Sequence, residues 1–451
     1  MTEPSREELE RWDRQHVWHA FTQMAEYEPL IIERGEGCVL YDIDGRAYLD
    51  GVSSLWCNLH GHRHPRLDAA LVEQAGRIAH TTLLGASNSR TIELARRLVE
   101  LAPAGLDHVF FSDDGATAVE VALKMCFQYW RQCPDPRPDK RVFLAFDQAY
   151  HGDTLGSVSV GGVARFHEMF RPLLFETIRL DAPREYRLPD GVTEETACEH
   201  FLGAVENVLR ERHEEVAGVV VEPLLQAAAG MITHPVGFLR GLSELCDRYD
   251  VMLIADEVAV GFGRTGRMFA CEHENVRPDF LCLAKGITGG YLPLAATLTT
   301  TKVWNAFLGE YSESRTFYHG HTYGGNPLGA AVALASLEVF EEERVLEKLP
   351  RKTARLAEHL SRIGDLAHVG DVRQRGMIAG IELVRDRATG APYDWAERRG
   401  IGVCKHARGE GVLVRPLGNV VVVMPPLAVS LDELDQICRS VERGIVAVTA
   451  E

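Results

Sequence analysis

No apolar run in this sequence approaches the roughly 18 residues that a membrane-spanning helix requires. The opening segment, MTEPSREELERWDRQ, is polar and acidic and holds no apolar core of the secretory kind. Basic residues are in deficit. Against 65 Asp and Glu stand 48 Lys and Arg, a formal net charge of −17. Such a chain lacks the basic footprint that nonspecific nucleic-acid or anionic-membrane binding needs. The ten cysteines never fall as C-x-x-C, and their scatter suits a reducing compartment better than a disulfide framework. There is no internal repeat and no low-complexity linker. These absences lead to the expectation of a cytoplasmic protein that binds neither nucleic acid nor membrane. Any anionic ligand must then be held by local donors.

What is present is ordinary for a globular chain: 451 residues, 46% hydrophobic and 25% charged. That length suits a large domain plus a smaller one. Residues 37–50 alternate around Asp44-Gly45, a hairpin signal. From about residue 66 helical periodicity (66–79, 91–101, 116–131, 195–212, 237–249, 326–343) interleaves with short apolar runs (108–112, 141–146, 218–222, 251–255, 280–284). Alternation of this kind predicts an α/β fold with a mostly parallel sheet covered on both faces. After residue 347 a helix, strands at 376–383, 412–415 and 420–424, and a final helix from Ser430 read as a smaller α+β unit. The expected division is an arm and part of the small domain at 1–65, a large domain at 66–343 and a C-terminal small domain at 344–451.

Two apolar runs end in charge. Val251 to Ala255 leads into Asp256 and Glu257, and Phe280 to Ala284 leads into Lys285. Buried charges must be paired or used. In parallel sheets ligands gather beyond the carboxyl ends of the strands, where Asp256 and Lys285 fall. Ser112-Asp113-Asp114-Gly115-Ala116-Thr117 joins a strand to a helix through a glycine turn, which makes either a capped helix or an anion cup. Lys285 is either a lysine that snorkels to solvent or a desolvated amine able to form a Schiff base with an aldehyde. Beside a phosphate cup, Asp256 becomes the carboxylate that keeps a pyridine nitrogen protonated, as pyridoxal phosphate requires. Tyr150 brings an aromatic ring to the same sheet edge. Two other motifs lead elsewhere. Gly261 to Gly266 (GFGRTG) fits a dinucleotide fingerprint, but acids separate it from its strand and no amphipathic helix follows. His60, His62 and His64 alternate, yet no second ligand cluster supports a metal site, and none is expected.

The run D-E-V-x-x-G-F-G-R-T-G followed by L-A-K-G-I-T-G-G resembles the class III pyridoxal-phosphate aminotransferases of fold type I. Further motifs (WHAFTQM at 18–24, GVSSLW at 51–56, ALKMCFQYW at 122–130, YHGDT at 150–154, HGHTYGGNP at 319–327 and VRPLG at 414–418) are similar to the branch that aminates 8-amino-7-oxononanoate to 7,8-diaminononanoate in biotin biosynthesis. The likeness covers nearly the whole chain. It implies a ping-pong mechanism on pyridoxal phosphate. Lys285 would be the Schiff-base lysine and proton shuttle, Asp256 the pyridinium partner, and Tyr150 a flank of cofactor ring and substrate. Gly115 and Ala116 would hold the phosphate, joined by His321 and Thr322 from the second subunit of a homodimer with shared active sites. Trp56 and Gly320 would line the substrate channel, and Arg415 would bind the oxononanoate carboxylate. Phe21 and Leu55 stand where members that use S-adenosylmethionine have a tyrosine and a tryptophan, so the resemblance favours L-lysine as amino donor over S-adenosylmethionine. An aminotransferase for another ω-amino acid or diamine is the alternative. A catalytically silent scaffold is disfavoured by the intact set of Asp256, Lys285 and Arg415.

Overall fold

A computed structural model describes residues 4–450. Its centre is a sheet of β1 (His108–Ser112), β2 (Val142–Phe146), β3 (Thr177–Leu180), β4 (Val216–Val221), β5 (Met252–Asp256), β6 (Phe280–Leu283) and β7 (Ala295–Thr299). The spatial order is β1-β7-β6-β5-β4-β2-β3. Only β7 is antiparallel to its neighbours, so the other strands send their carboxyl ends to one edge. In register, Ala255 lies between Leu281 and Val221. The strand residues alternate between two cores. Leu253, Ala255, Leu281 and Leu283 join Phe238, Leu242 and Leu245 of the helix Phe238–Arg248. Met252, Ile254, Phe280 and Cys282 join Ala118, Ala122 and Met125 of the helix Gly115–Gln132. Burial on both faces is why these strands read as continuous apolar runs.

The expected helices form as Pro65–Ala75, Ser89–Leu101, Gly115–Gln132, Glu194–Arg212, Phe238–Arg248 and Pro327–Glu342. Strands β3 and β7 were not anticipated. The sequence of β7, AATLT, is half polar by composition yet wholly buried. Its threonines are satisfied by backbone: Thr297 donates to the Ala118 carbonyl at 2.8 Å and Thr299 to that of Asp279 at 2.9 Å. A hydroxyl with a partner can sit in the core, and hydropathy alone hides such a strand.

The hairpin at 37–50 is present, with Val39–Asp42 against Ala47–Asp50 and Gly45 at φ +77°. The Asp42 carboxylate closes its turn by accepting the amides of Asp44 and Arg46. Strand Val412–Leu413 pairs in parallel with Ala47–Asp50, Leu413 opposite Asp50, so segments from both ends of the chain share one sheet. An antiparallel sheet follows, in the order Val369–Arg375, Ile378–Asp386, Val420–Val423, Arg415–Leu417. The first of these strands was also missed, because its polar residues are spent on ion pairs such as Arg373 with Glu382 at 2.6 Å. No helix among the described residues is long and apolar enough to cross a membrane.

At the amino-terminal edge of the main sheet, Lys140 is fully buried. Its ammonium donates to the carbonyls of His213 (2.7 Å), Asp250 (2.8 Å) and Val216 (3.2 Å) and lies 4.6 Å from the Trp130 ring. It ties together the starts of β2, β4 and β5. Removing it strands three carbonyls without touching the opposite edge. Lys140→Met should therefore lower unfolding free energy by roughly 2–3 kcal/mol, seen in denaturant titration, and leave substrate KM values unchanged.

Candidate active site

Five strands deliver six polar side chains to one edge. Beyond β1, Asp114 caps the helix Gly115–Gln132 by accepting the Thr117 amide at 2.9 Å. Beyond β2 come Tyr150 and His151, beyond β4 Glu222, at the end of β5 Asp256, and beyond β6 Lys285. All of them line one cavity of about 730 Å³. Gly115 and Ala116 also line it, so the helix start opens its unpaired amides on the cavity. Close approach fixes two glycines here. A Cβ on Gly152 would lie 2.3 Å from that of Ala116, and one on Gly115 would lie 2.5 Å from a Val258 methyl.

Charge at this edge is organised by hydrogen bonds. Asp256 is 4% exposed and contacts His151 Nδ1 at 2.7 Å, while its second oxygen accepts the Val258 amide at 3.0 Å. Burial works against an imidazolium at His151, but the hydrogen bond and charge of Asp256, with Glu222 behind it, outweigh burial and raise its pKa. His151 Nε2 is buried and has no partner among the described residues. Glu222 accepts the amides of Tyr150 (3.0 Å) and Ala227 (2.9 Å), and burial pushes its pKa up to about 7. Tyr150 donates its hydroxyl to Asp153 at 2.6 Å. At Lys285 removal from water is the largest influence and lowers the pKa, partly offset by Asp256 and Glu222. Its Nζ lies 5.6 Å from the centre of the Trp56 ring.

A second cavity, of about 770 Å³, meets the first at Trp56, Tyr150, Ala228 and Lys285. Its wall includes Phe21, Leu55, Phe166 and Arg415. Phe21 packs edge-on against Phe166 at 5.2 Å. Leu55 and Trp56 arrive on an unusual backbone. Ser53, Ser54, Leu55 and Trp56 have φ of +44°, +41°, +68° and +72°, a left-handed turn made without glycine. Each such residue costs about 1–2 kcal/mol, so the turn must be held from outside. Part of the hold is Arg264, which is 1% exposed. It donates to Ser53 Oγ and the Asn58 carbonyl at 2.8 Å and to the Pro425 carbonyl at 2.6 Å. Buried among neutral acceptors, its pKa falls to about 10.

The model of one family, aminotransferase class-III, matches residues 22–445. The chain belongs to that family. Among class-III aminotransferases it is 56% identical over 445 residues to the adenosylmethionine-8-amino-7-oxononanoate aminotransferase of Geobacter sulfurreducens, with 98% of each chain covered. The protein of the same name from Aquifex aeolicus is 52% identical, again over 98% of each chain. The crystal structure of the Methanocaldococcus jannaschii protein of that name superposes with a TM-score of 0.92 at 44% identity, covering 98% of this chain and 99% of that one. An ω-transaminase from Pseudomonas jessenii in complex with PMP superposes at 0.93, with 32% identity and 98% of each chain covered.

The cofactor of this class-III aminotransferase is pyridoxal phosphate. The residues fit it: a helix start for the phosphate, a buried carboxylate oriented by His151 for the ring nitrogen, and a lysine with a lowered pKa for the aldehyde. Of the residues expected from sequence, the structure gathers Gly115, Ala116, Tyr150, Asp256 and Lys285 around the first cavity and Phe21, Leu55, Trp56 and Arg415 around the second. Gly320, His321 and Thr322 line neither. His321 Nδ1 instead lies 2.8 Å from Asp113 of its own chain. GFGRTG is a loop between β5 and the short turn Ala270–His273 and opens no helix. The alternating histidines point to separate partners: His60 to Ser336, His62 to Asp50 and His64 to Glu343.

Sequence reasoning missed His151, Glu222 and Arg264 as site residues. The signal was present for Glu222, which like Asp256 is an acid ending an apolar strand. Folded, Glu222 keeps its proton up to about pH 7, whereas an ordinary glutamate carboxyl loses it near 4.5. Its contribution to stability is thus complete below about pH 4.5 and is lost as pH rises through about 7. Glu222→Gln cannot ionise. Its melting temperature should be lower overall, because one amide loses its acceptor, and should vary less with pH between 4.5 and 7 than that of the unmodified protein.

Proposed function

We propose that this class-III aminotransferase converts 8-amino-7-oxononanoate to 7,8-diaminononanoate, a step of biotin biosynthesis. The observation that carries the reading is the meeting of the two cavities at Lys285, one floored by a helix start and the other reaching an arginine. The first suits a phosphorylated cofactor and the second a long-chain keto acid. The names and full-length identity of the relatives supply the keto acid.

Pyridoxal phosphate, when bound, supplies the electron sink on which amino transfer depends. The chain supplies the rest. Gly115 and Ala116 bind the phosphate through backbone amides. Asp256, oriented by His151, keeps the ring nitrogen protonated. Lys285 Nζ would take a proton from the substrate carbon and deliver it to the carbon of the cofactor's aldehyde, base at one atom and acid at the other. Its lowered pKa leaves it the free pair that a base requires. Tyr150 walls the reacting face, held by Glu222 at its amide and Asp153 at its hydroxyl. Arg415 takes the distal carboxylate.

Two donors have support. Adenosylmethionine is in the relatives' names, whereas Phe21 and Leu55, both in the channel wall, speak for L-lysine. We further propose a homodimer in which His321 and Thr322 complete the partner's phosphate site. Their position outside both cavities of their own chain and the exposure of neighbouring Tyr318 (71%) and Tyr323 (61%) support it.

The purified holoenzyme should turn over 8-amino-7-oxononanoate, and no product with that ketone would reject the assignment. Arg415→Leu should raise KM for the keto acid roughly 10- to 100-fold, the loss of a charge-assisted hydrogen bond, with cofactor content unchanged. Half-reactions with S-adenosylmethionine and with lysine, each followed by the cofactor's absorbance, identify the donor.

A further inference from the structure

We infer that Asp50 is a positioning residue for the substrate channel, acting through Trp56. Its carboxylate is fully buried and lines neither cavity, so it cannot touch a substrate. Four of its five side-chain hydrogen bonds are with donors that shape the turn at 53–56. Oδ1 accepts the Val52 amide (3.3 Å) and the Ser54 amide (2.9 Å), and Oδ2 accepts the Ser54 amide (2.7 Å) and hydroxyl (2.9 Å). His62 Nε2 lies 3.0 Å from Oδ2 and anchors the carboxylate from the far side.

The turn needs such a hold. Four successive L-residues in left-handed conformation revert toward ordinary φ unless their amides are fixed. Asp50 fixes the amide of Ser54, the second of them, and Arg264 holds Ser53 by its hydroxyl. The turn in turn carries Trp56, whose ring faces Lys285 at 5.6 Å and forms part of both cavity walls. The Trp56 indole N–H is buried and has no acceptor among the described residues, so it can meet a ligand only where the turn places it. Asp50 is itself rigid, because its backbone lies in the ladder of Ala47–Asp50 with Val412–Leu413. The chain of cause therefore runs from a buried anion, through a strained turn, to the ring that decides how much room lies beside the reacting lysine.

This inference rests on membership of the aminotransferase family and not on the identity of the keto acid, so its test uses simple amines. The preference of the holoenzyme for heptylamine over propylamine is read from half-reaction rates by cofactor absorbance. Where an amine reacts too slowly, its inhibition constant supplies the comparison. The fraction of correctly folded protein cancels in this ratio, which a merely structural role would leave unmoved. Asp50→Asn preserves shape but turns an amine donor toward groups that need an acceptor. It should bind cofactor, melt cooperatively and shift the preference about tenfold. Trp56→Ala should shift it as well, and adding Asp50→Asn to Trp56→Ala should change it by less than about twofold, the non-additivity of residues that act as one. A preference unchanged in folded Asp50→Asn, or full additivity in the double variant, would overturn the inference. If Asp50→Asn does not fold, Ser54→Ala, which deletes one of the five contacts, should shift the preference about threefold in the same direction. No shift there would overturn it equally.

Discussion

Everything at this site depends on the shared direction of β5 and β6. Because the two strands are parallel and in register, Asp256 opposite Cys282, an acid ending one and a lysine just beyond the other emerge at the same edge. Had β6 run antiparallel, Lys285 would lie at the opposite end of the sheet, beside Lys140. The same constraint brings Glu222 from β4, Tyr150 and His151 from β2 and the helix start from β1. The one antiparallel strand, β7, enters from this edge, and the residues leading into it (Pro293 and Leu294) close the cavity wall.

The groups so gathered are mutually dependent. Asp256 alone would be a buried anion in need of compensation. His151 and the Val258 amide provide it within the chain. Lys285 is treated in the opposite way, desolvated and set against an aromatic ring so that its neutral form is accessible. Burial pushes the pKa of Glu222 up to about 7, so its negative charge is suppressed below that pH. It serves as an acceptor that positions the backbone on either side of the reacting face.

Much of this was legible in the sequence, and the parts that were not have physical reasons. Continuous apolar runs ending in Asp256 and Lys285 announced buried parallel strands and their cargo. Strand β7 stayed hidden because its threonines satisfy themselves on backbone carbonyls. His151 gave no signal, since its role lies in a contact with a residue 105 positions away. Arg264 sits in a glycine motif that reads as a nucleotide loop, and only the fold reveals it as a bridge from that loop to Ser53, Asn58 and Pro425. The left-handed turn could not be read at all, because Ser-Ser-Leu-Trp contains no residue that prefers positive φ.

The pairing of Leu413 with Asp50 has a geometric consequence. Two residues beyond Leu413 stands Arg415, and a few residues beyond Asp50 stands Trp56. Both boundaries of the second cavity thus spring from one pair of hydrogen-bonded strands, though they lie far apart along the chain. The backbone positions from which guanidinium and indole project are tied to one ladder, as the jaws of a caliper are joined by its bar.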